Sequence, residues 1–283
     1  MSALAEYRPD VICHFAAQAV VGKSQVAPLD TFETNIIGTA NLLEAARYLG
    51  LHNSGNFLFF YMSTDKVYGE TYGSTENSGY CPTCPYSASK IAAEQIVHSY
   101  ARTYGINTLI FRPCNLYGPG DYNRRVIPNT IEDVLEGRSA VLYEGDDKFY
   151  RQYLYIEDFC VILDKFLRDD WSDIRGFRGV LNISPNNSFS EDYCCSTKKV
   201  VEMVVDKVTK KMKKLGKNIS LQPIATLPAK NIIEIREQWI KNSKLIGQPC
   251  MKRFKFHTLE EGLDKTIDWY IANPDFFRKM IRR

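Results

Sequence analysis

Tyr86 and Lys90 stand four residues apart, and Ser63-Thr64-Asp65-Lys66 lies one predicted strand earlier. Residues of these types can move protons. Positions i and i+4 share one face of a helix. A Lys90 ammonium near the Tyr86 phenol, aided by the positive end of the helix, would therefore favour a phenolate over a phenol whose free pKa is about 10. Such a phenolate can take a proton from a sugar or steroid hydroxyl while hydride leaves the same carbon. Thr64 is placed to hydrogen-bond the same oxygen. Of the 17 tyrosines, only Tyr86 is followed by lysine four residues on. The alternative, a surface pair on an ordinary helix, leaves the polar cluster one strand earlier unexplained.

The elements around these residues can be read from periodicity. Residues 57–62 (FLFFYM) form a short apolar run that suits a strand buried on both faces of a parallel sheet. Its polar end then falls at the C-terminal edge of the sheet, where α/β folds bind ligands. Pro85 and Ser87 supply start signals for a helix to residue 104, with Ile91, Ala92, Ile96, Val97 and Ala101 at helical spacing. Residues 11–17 (VICHFAA) and 107–111 (NTLIF) are further buried strands, and His14 reads as a core histidine. Thr34 and Asn35 open an amphipathic helix to about Leu49. Between Lys198 and Lys217, Val200, Val201, Val204, Val205, Val208, Met212 and Leu215 make an apolar stripe under a solvated lysine face. Residues 258–270 form a closing helix with a capping-box start.

Three segments, S-T-D-K-V-Y-G, P-Y-S-A-S-K and R-P-C-N-L-Y-G-P, resemble the extended short-chain dehydrogenase/reductase family, in particular its nucleotide-sugar 4,6-dehydratases and epimerases. The resemblance covers nearly the whole chain. It implies an α/β fold, a doubly wound, parallel, Rossmann-like sheet. Residues 1–115 would form an NAD-binding domain truncated at its N-terminus. Residues 116–283 would be mainly a sugar-nucleotide lobe, with segments returning to the sheet. The implied cofactor is NAD, against Ala16, Ala17, Thr34, Ser63, Tyr86, Lys90 and Leu116. The implied substrate contacts are Thr64, Asn115, Val126, Ile127, Pro128, Arg151, Asn182 and Arg236. A guanidinium grips two phosphate oxygens in a fork, which fits Arg151 to a pyrophosphate. Asp158 is expected to cap the helix after it. Ala19 stands where many dehydratases carry a hydroxyl, and Lys241 replaces an aspartate of the family pattern.

The implied catalytic set is Thr64, Asp65, Lys66, Tyr86 and Lys90. Tyr86 would remove the O4 proton as hydride passes from C4 to NAD. A base would take the C5 proton, an acid would protonate the departing O6 hydroxyl, and hydride would return to C6. Asp65 and Lys66 match the acid/base pair of a dehydratase, whereas an epimerase needs only the first step. The nucleotide stays open. Asp-Lys resembles the enzymes acting on CDP-glucose and some UDP-N-acetylglucosamine dehydratases, while the flanking segments resemble the dTDP- or UDP-glucose branch. A non-catalytic remnant or partner subunit that retains the sugar-nucleotide lobe is the rival reading.

Composition narrows the partners. A net charge of +3 over 283 residues, with no recognition motif, argues against nucleic acid. The eight cysteines lack framework spacing, and Cys81 and Cys84 form one C-x-x-C with no second pair, so no metal site is expected. No apolar run is long enough to span a bilayer. The reading is a cytoplasmic homo-oligomer, a dimer, without membrane contact. The G-x-G-x-x-G that cradles a dinucleotide pyrophosphate does not occur. About two βα units are therefore expected to precede Met1. The 11–17 strand is expected at a sheet edge, and the chain alone is expected to bind NAD weakly.

Overall fold

The computed structural model describes residues 2–54, 57–122, 125–168, 179–217, 219–229 and 235–277. In chain order the strands are β1 (Val11–His14), β2 (Leu58–Met62), β3 (Thr71–Ser74), β4 (Asn107–Pro113), β5 (Asn115–Tyr117) and β6 (Val141–Tyr143). They continue with β7 (Tyr150–Tyr155), β8 (Gly179–Ile183), β9 (Cys194–Ser196), β10 (Ala225–Leu227) and β11 (Glu237–Ile240). The helices are α1 (Ser2–Tyr7), α2 (Val21–Val26), α3 (Pro28–Phe32), α4 (Gly38–Tyr48) and α5 (Pro85–Tyr104). After them come α6 (Val126–Leu135), α7 (Ile156–Arg168), α8 (Thr197–Lys214), α9 (Ser243–Ile246) and α10 (Leu259–Ala272).

The apolar runs expected to be buried strands build one parallel sheet in the order β1-β2-β4-β8. Successive side chains leave a strand on opposite faces, so β2 feeds two cores. Phe59 and Tyr61 pack with Leu43 of α4 and Val97 of α5 on one face. Phe60 meets Phe111, Phe159 and Phe166 on the other, under α7. Each such side chain contributes about 1.5–3 kcal/mol by leaving water. The expected doubly wound α/β arrangement is present, with β8 returning to the sheet from the C-terminal half. Among the described residues β1 pairs only with β2, which puts it at the sheet edge. The strand stops at His14, earlier than the 11–17 run, and Phe15 is exposed.

A second sheet, β3-β11-β7-β5, lies beyond the C-terminal ends of the first, and β9 runs antiparallel to β7. A short β10-β6 pair completes this side. Helices α6, α8 and α10 cover it through Ile131, Val200, Val204, Leu263 and Ile267. Gly262 lets α10 sit against the cavity wall, because a Cβ there would lie 2.0 Å from the Tyr117 hydroxyl. The capping box of α10 is formed by Thr258 and Glu261.

Three local expectations change. Residues Glu33–Ile37 form a π-helical turn before α4, and buried Asn35 bonds both Gln18 and Ser89, tying the turn to the loop after β1 and to α5. Leu215 leaves the apolar stripe because α8 ends at Lys214, and it is exposed. Asp158 lies in the first turn of α7, where its carboxylate receives the His257 backbone N–H at 2.8 Å and pairs with its ring at 2.7 Å.

Candidate active site

The end of β2 passes through Ser63 and Thr64 into a 3-10 turn, Asp65–Tyr68. The Thr64 hydroxyl caps this turn by accepting the Lys66 N–H at 3.3 Å. Asp65 is thereby turned inward and fully buried. Burial raises its carboxyl to about 6, against the opposing pull of Lys66 and Arg151. The acid form therefore survives well above the usual carboxylate range.

Helix α5 starts at Pro85, which presets the first helical φ, and Cys84 with Ser87 forms a reciprocal cap. Its first turn carries Tyr86, whose backbone N–H reaches Ser24 at 3.2 Å. The phenol is hydrogen-bonded with Thr64, as expected, yet burial dominates and pushes it up to about 12. Lys90 donates to the Met62 carbonyl and lies 4.3 Å from the centre of the Tyr61 ring. Its amine is lowered to about 7 by burial, partly offset by Glu94. Burial, rather than Lys90, dominates the Tyr86 phenol, because the Lys90 amine is itself desolvated and turned toward Met62. His14, also buried, is held neutral with its pKa near 4, first by desolvation and then by Lys90.

Thr64, Asp65, Tyr86 and Lys90, but not His14, face one cavity of about 730 Å³ between the two sheets, a size suited to a bound nucleotide. Ala17, Ser63, Thr64, Asp65, Lys66, Tyr86 and Lys90 line the first-sheet side. Asn115, Leu116, Val126, Ile127, Pro128 and Arg151 line the other. Asn115 is fixed by donating to the Gln152 carbonyl at 3.2 Å. Arg151 donates to the carbonyls of Tyr150 at 2.9 Å and Arg236 at 3.2 Å.

Four expected contacts fall outside the cavity lining. Ala16 and Thr34 are exposed and do not line it. Asn182 is consumed by structure: it accepts from the Tyr68 hydroxyl at 2.7 Å and donates to the carbonyls of Ser74 and Lys241. Arg236 is exposed, and its carbonyl serves Tyr150 and Arg151. In the other direction, sequence reasoning missed Arg125, Tyr143, Asp146, Thr197 and Leu227 in the wall. A basic residue just before the N-terminus of α6 is a recognisable anion-binding signal. Tyr143 and Leu227 come together only through the β6-β10 pair, Asp146 follows in the turn after β6, and Thr197 arrives with the first turn of α8.

The cofactor expected from sequence fits the first-sheet side of the cavity. Ala17 and Ala19 bring small side chains to the wall, and Lys90 spends one donor on Met62, so an ammonium here has donors left for ligand hydroxyls.

A family model described as the NAD dependent epimerase/dehydratase family matches residues 1–178. A curated relative, dTDP-glucose 4,6-dehydratase from Salmonella typhimurium, is 32% identical over 289 residues, covering 96% of this chain and 75% of the relative. The crystal structure of DesIV, a dTDP-glucose 4,6-dehydratase from Streptomyces venezuelae with NAD and TYD bound, aligns with a TM-score of 0.79 at 26% identity. That alignment covers 99% of this chain and 79% of DesIV. A UDP-glucose 4-epimerase from Thermus thermophilus in complex with NAD gives a TM-score of 0.76 at 27% identity, over 96% of this chain and 80% of the epimerase. The chain belongs to the NAD-dependent epimerase/dehydratase family.

Proposed function

We propose that this chain is an NAD-dependent nucleotide-sugar 4,6-dehydratase, which oxidises C4, removes water across C5 and C6, and reduces C6. The observation that carries this reading is the Asp65–Lys66 pair, set in the same cavity as Thr64 and Tyr86. An epimerase needs a proton acceptor at O4 alone. A buried carboxyl that keeps its proton to about 6, beside a lysine, has no task in that reaction. The relatives named dTDP-glucose 4,6-dehydratase support a hexose on a nucleoside diphosphate as the substrate class.

Tyr86, hydrogen-bonded with Thr64, takes the O4 proton. Ala17, Ser63, Lys90 and Leu116 would hold NAD in this cavity, where it would supply the hydride acceptor for C4 and the hydride donor for C6. The 4-ketone acidifies C5, from which Lys66 in its neutral form takes a proton. Asp65 gives its proton to the departing O6 hydroxyl, which leaves as water. Lys66 returns its proton to C5 as C6 is reduced, and the proton gained by Tyr86 balances the one lost by Asp65 through solvent. Arg151, with Arg125 at the start of α6, supplies charge to the pyrophosphate.

Residues 1–115 serve the cofactor side and 116–283 mainly the sugar nucleotide. Exposed Leu29, Ile37, Tyr48 and Tyr104 on the α3–α5 layer support a homodimer. The described residues include no helix long and apolar enough to cross a membrane. The cysteines are free thiols, which supports a reducing cytoplasm. Incubation with NAD and a panel of nucleoside diphosphate hexoses tests the reaction. A product lighter by one water is expected; a C4 epimer of unchanged mass would replace this reading with epimerisation.

A further inference from the structure

Gln238 reaches the site from the far end of the chain. It lies in β11, an interior strand, in register with Thr71 of β3 and Arg151 of β7, and it is fully buried. Its Oε1 accepts a hydrogen bond from Lys66 Nζ at 3.1 Å. An ammonium only donates, so this contact sets which end of the amide faces Lys66. The other end, Nε2, is buried without a hydrogen-bond partner. Leaving a buried amide N–H unpaired costs about 1–3 kcal/mol, and an apolar side chain in an interior strand would avoid that cost. Asp65 Oδ2 is likewise buried and unpaired. Unpaired polar atoms thus occur both on the residue before Lys66 and on the residue that receives its amine, which is an unusual concentration for a site held together by packing alone.

We propose that Gln238 is a positioning residue that holds the Lys66 amine at the cavity wall for proton removal at C5. The proposal rests on the dehydratase reading above. The amide oxygen fixes one N–H of Lys66, and thereby the direction of the nitrogen, while adding no charge of its own to those of Asp65 and Arg151 that act at the same turn. A carboxylate at position 238 would hold the nitrogen equally well but would also hold its proton. An apolar group would do neither.

Two variants and three readouts separate this role from packing. In Gln238→Leu, solvent exchange at C5 should fall at least about tenfold while NADH formation on mixing stays within about twofold, because misorientation affects only the step that Lys66 performs. In Gln238→Glu, the acid limb of the exchange profile should move up by about one pH unit or more, since the new carboxylate favours the Lys66 ammonium. NMR titration of the Lys66 amine, in protein without substrate, should show the same upward move in the Glu variant and a downward move in the Leu variant. Equal loss of exchange and NADH formation, or a Lys66 titration that neither variant moves, would overturn the proposal. If the native protein eliminates no water from any nucleotide sugar, the dehydratase reading fails by itself. The Lys66 titrations still decide whether Gln238 controls that amine, and the Glu variant keeps the test open should the Leu variant not fold.

Discussion

Arg112 Nη2 lies 2.5 Å from Glu94 Oε2, and neither side chain is more than 2% exposed. The pair anchors a network that joins three elements of the site. Glu94, one turn beyond Lys90 on α5, also accepts from Ser63 at the end of β2 and from Tyr80 at 2.8 Å. Arg112 of β4 donates to the hydroxyls of Tyr68 and Tyr80, each at 2.7 Å. The spatial relation of Ser63–Lys66 to Tyr86 and Lys90 is therefore set by buried charge.

Removing one member leaves the other charged and unpaired in the core. Arg112→Met is expected to lower stability by about 3–5 kcal/mol, and Arg112→Met with Glu94→Leu to recover a large part of the loss. Urea unfolding of the two variants against the native protein measures both values. A loss under about 1 kcal/mol for Arg112→Met would mean that the pair does not anchor the site.

Tyr86→Phe removes the hydroxyl and keeps the ring. Turnover should fall by about 10²–10⁴-fold, the range for losing a positioned proton acceptor, while substrate affinity measured by calorimetry changes little. Near-native turnover would assign the O4 proton to another group.

Two buried groups give the fold opposite pH slopes. Lys90 titrates near 7 when folded and near 10.5 when free, so between these values the folded state binds fewer protons. Stability from this group therefore rises as pH climbs from about 7, and its burial cost is complete below 7. Asp65 titrates near 6 when folded and near 3.8 when free. The folded state holds the extra proton there, so stability falls as pH rises through that window. Lys90→Met should flatten the upper slope and Asp65→Asn the lower one in urea titrations across pH. An unchanged upper slope in Lys90→Met would show that the amine is not desolvated.

Strand β2 and the Tyr86–Lys90 helix were legible because each is a local signal, an apolar run and a proline start, whereas the Asp65–Tyr68 turn capped by Thr64 emerges only in the structure. The electrostatics of Tyr86 and Lys90 were not legible either. Spacing places Tyr86 and Lys90 on one face, but the Lys90 amine is drawn to Met62, and burial outweighs mutual attraction. The placement of Asn182 and Arg236 outside the cavity lining was hidden for a related reason. Their partners, Tyr68, Ser74 and Tyr150, arrive through pairings between distant strands that no local pattern encodes. Gln238 escaped notice in the same way, since its approach to Lys66 depends on β11 lying between β3 and β7.

The account turns on Lys66 as the base at C5, and Lys66→Met tests it most directly. In D₂O with NAD and a nucleoside diphosphate hexose, the variant should still form NADH on mixing, because oxidation at C4 depends on Tyr86. Deuterium should not enter at C5, and no water should be lost. Deuterium incorporation at C5 at the native rate in Lys66→Met would contradict the account and assign the base elsewhere in the cavity.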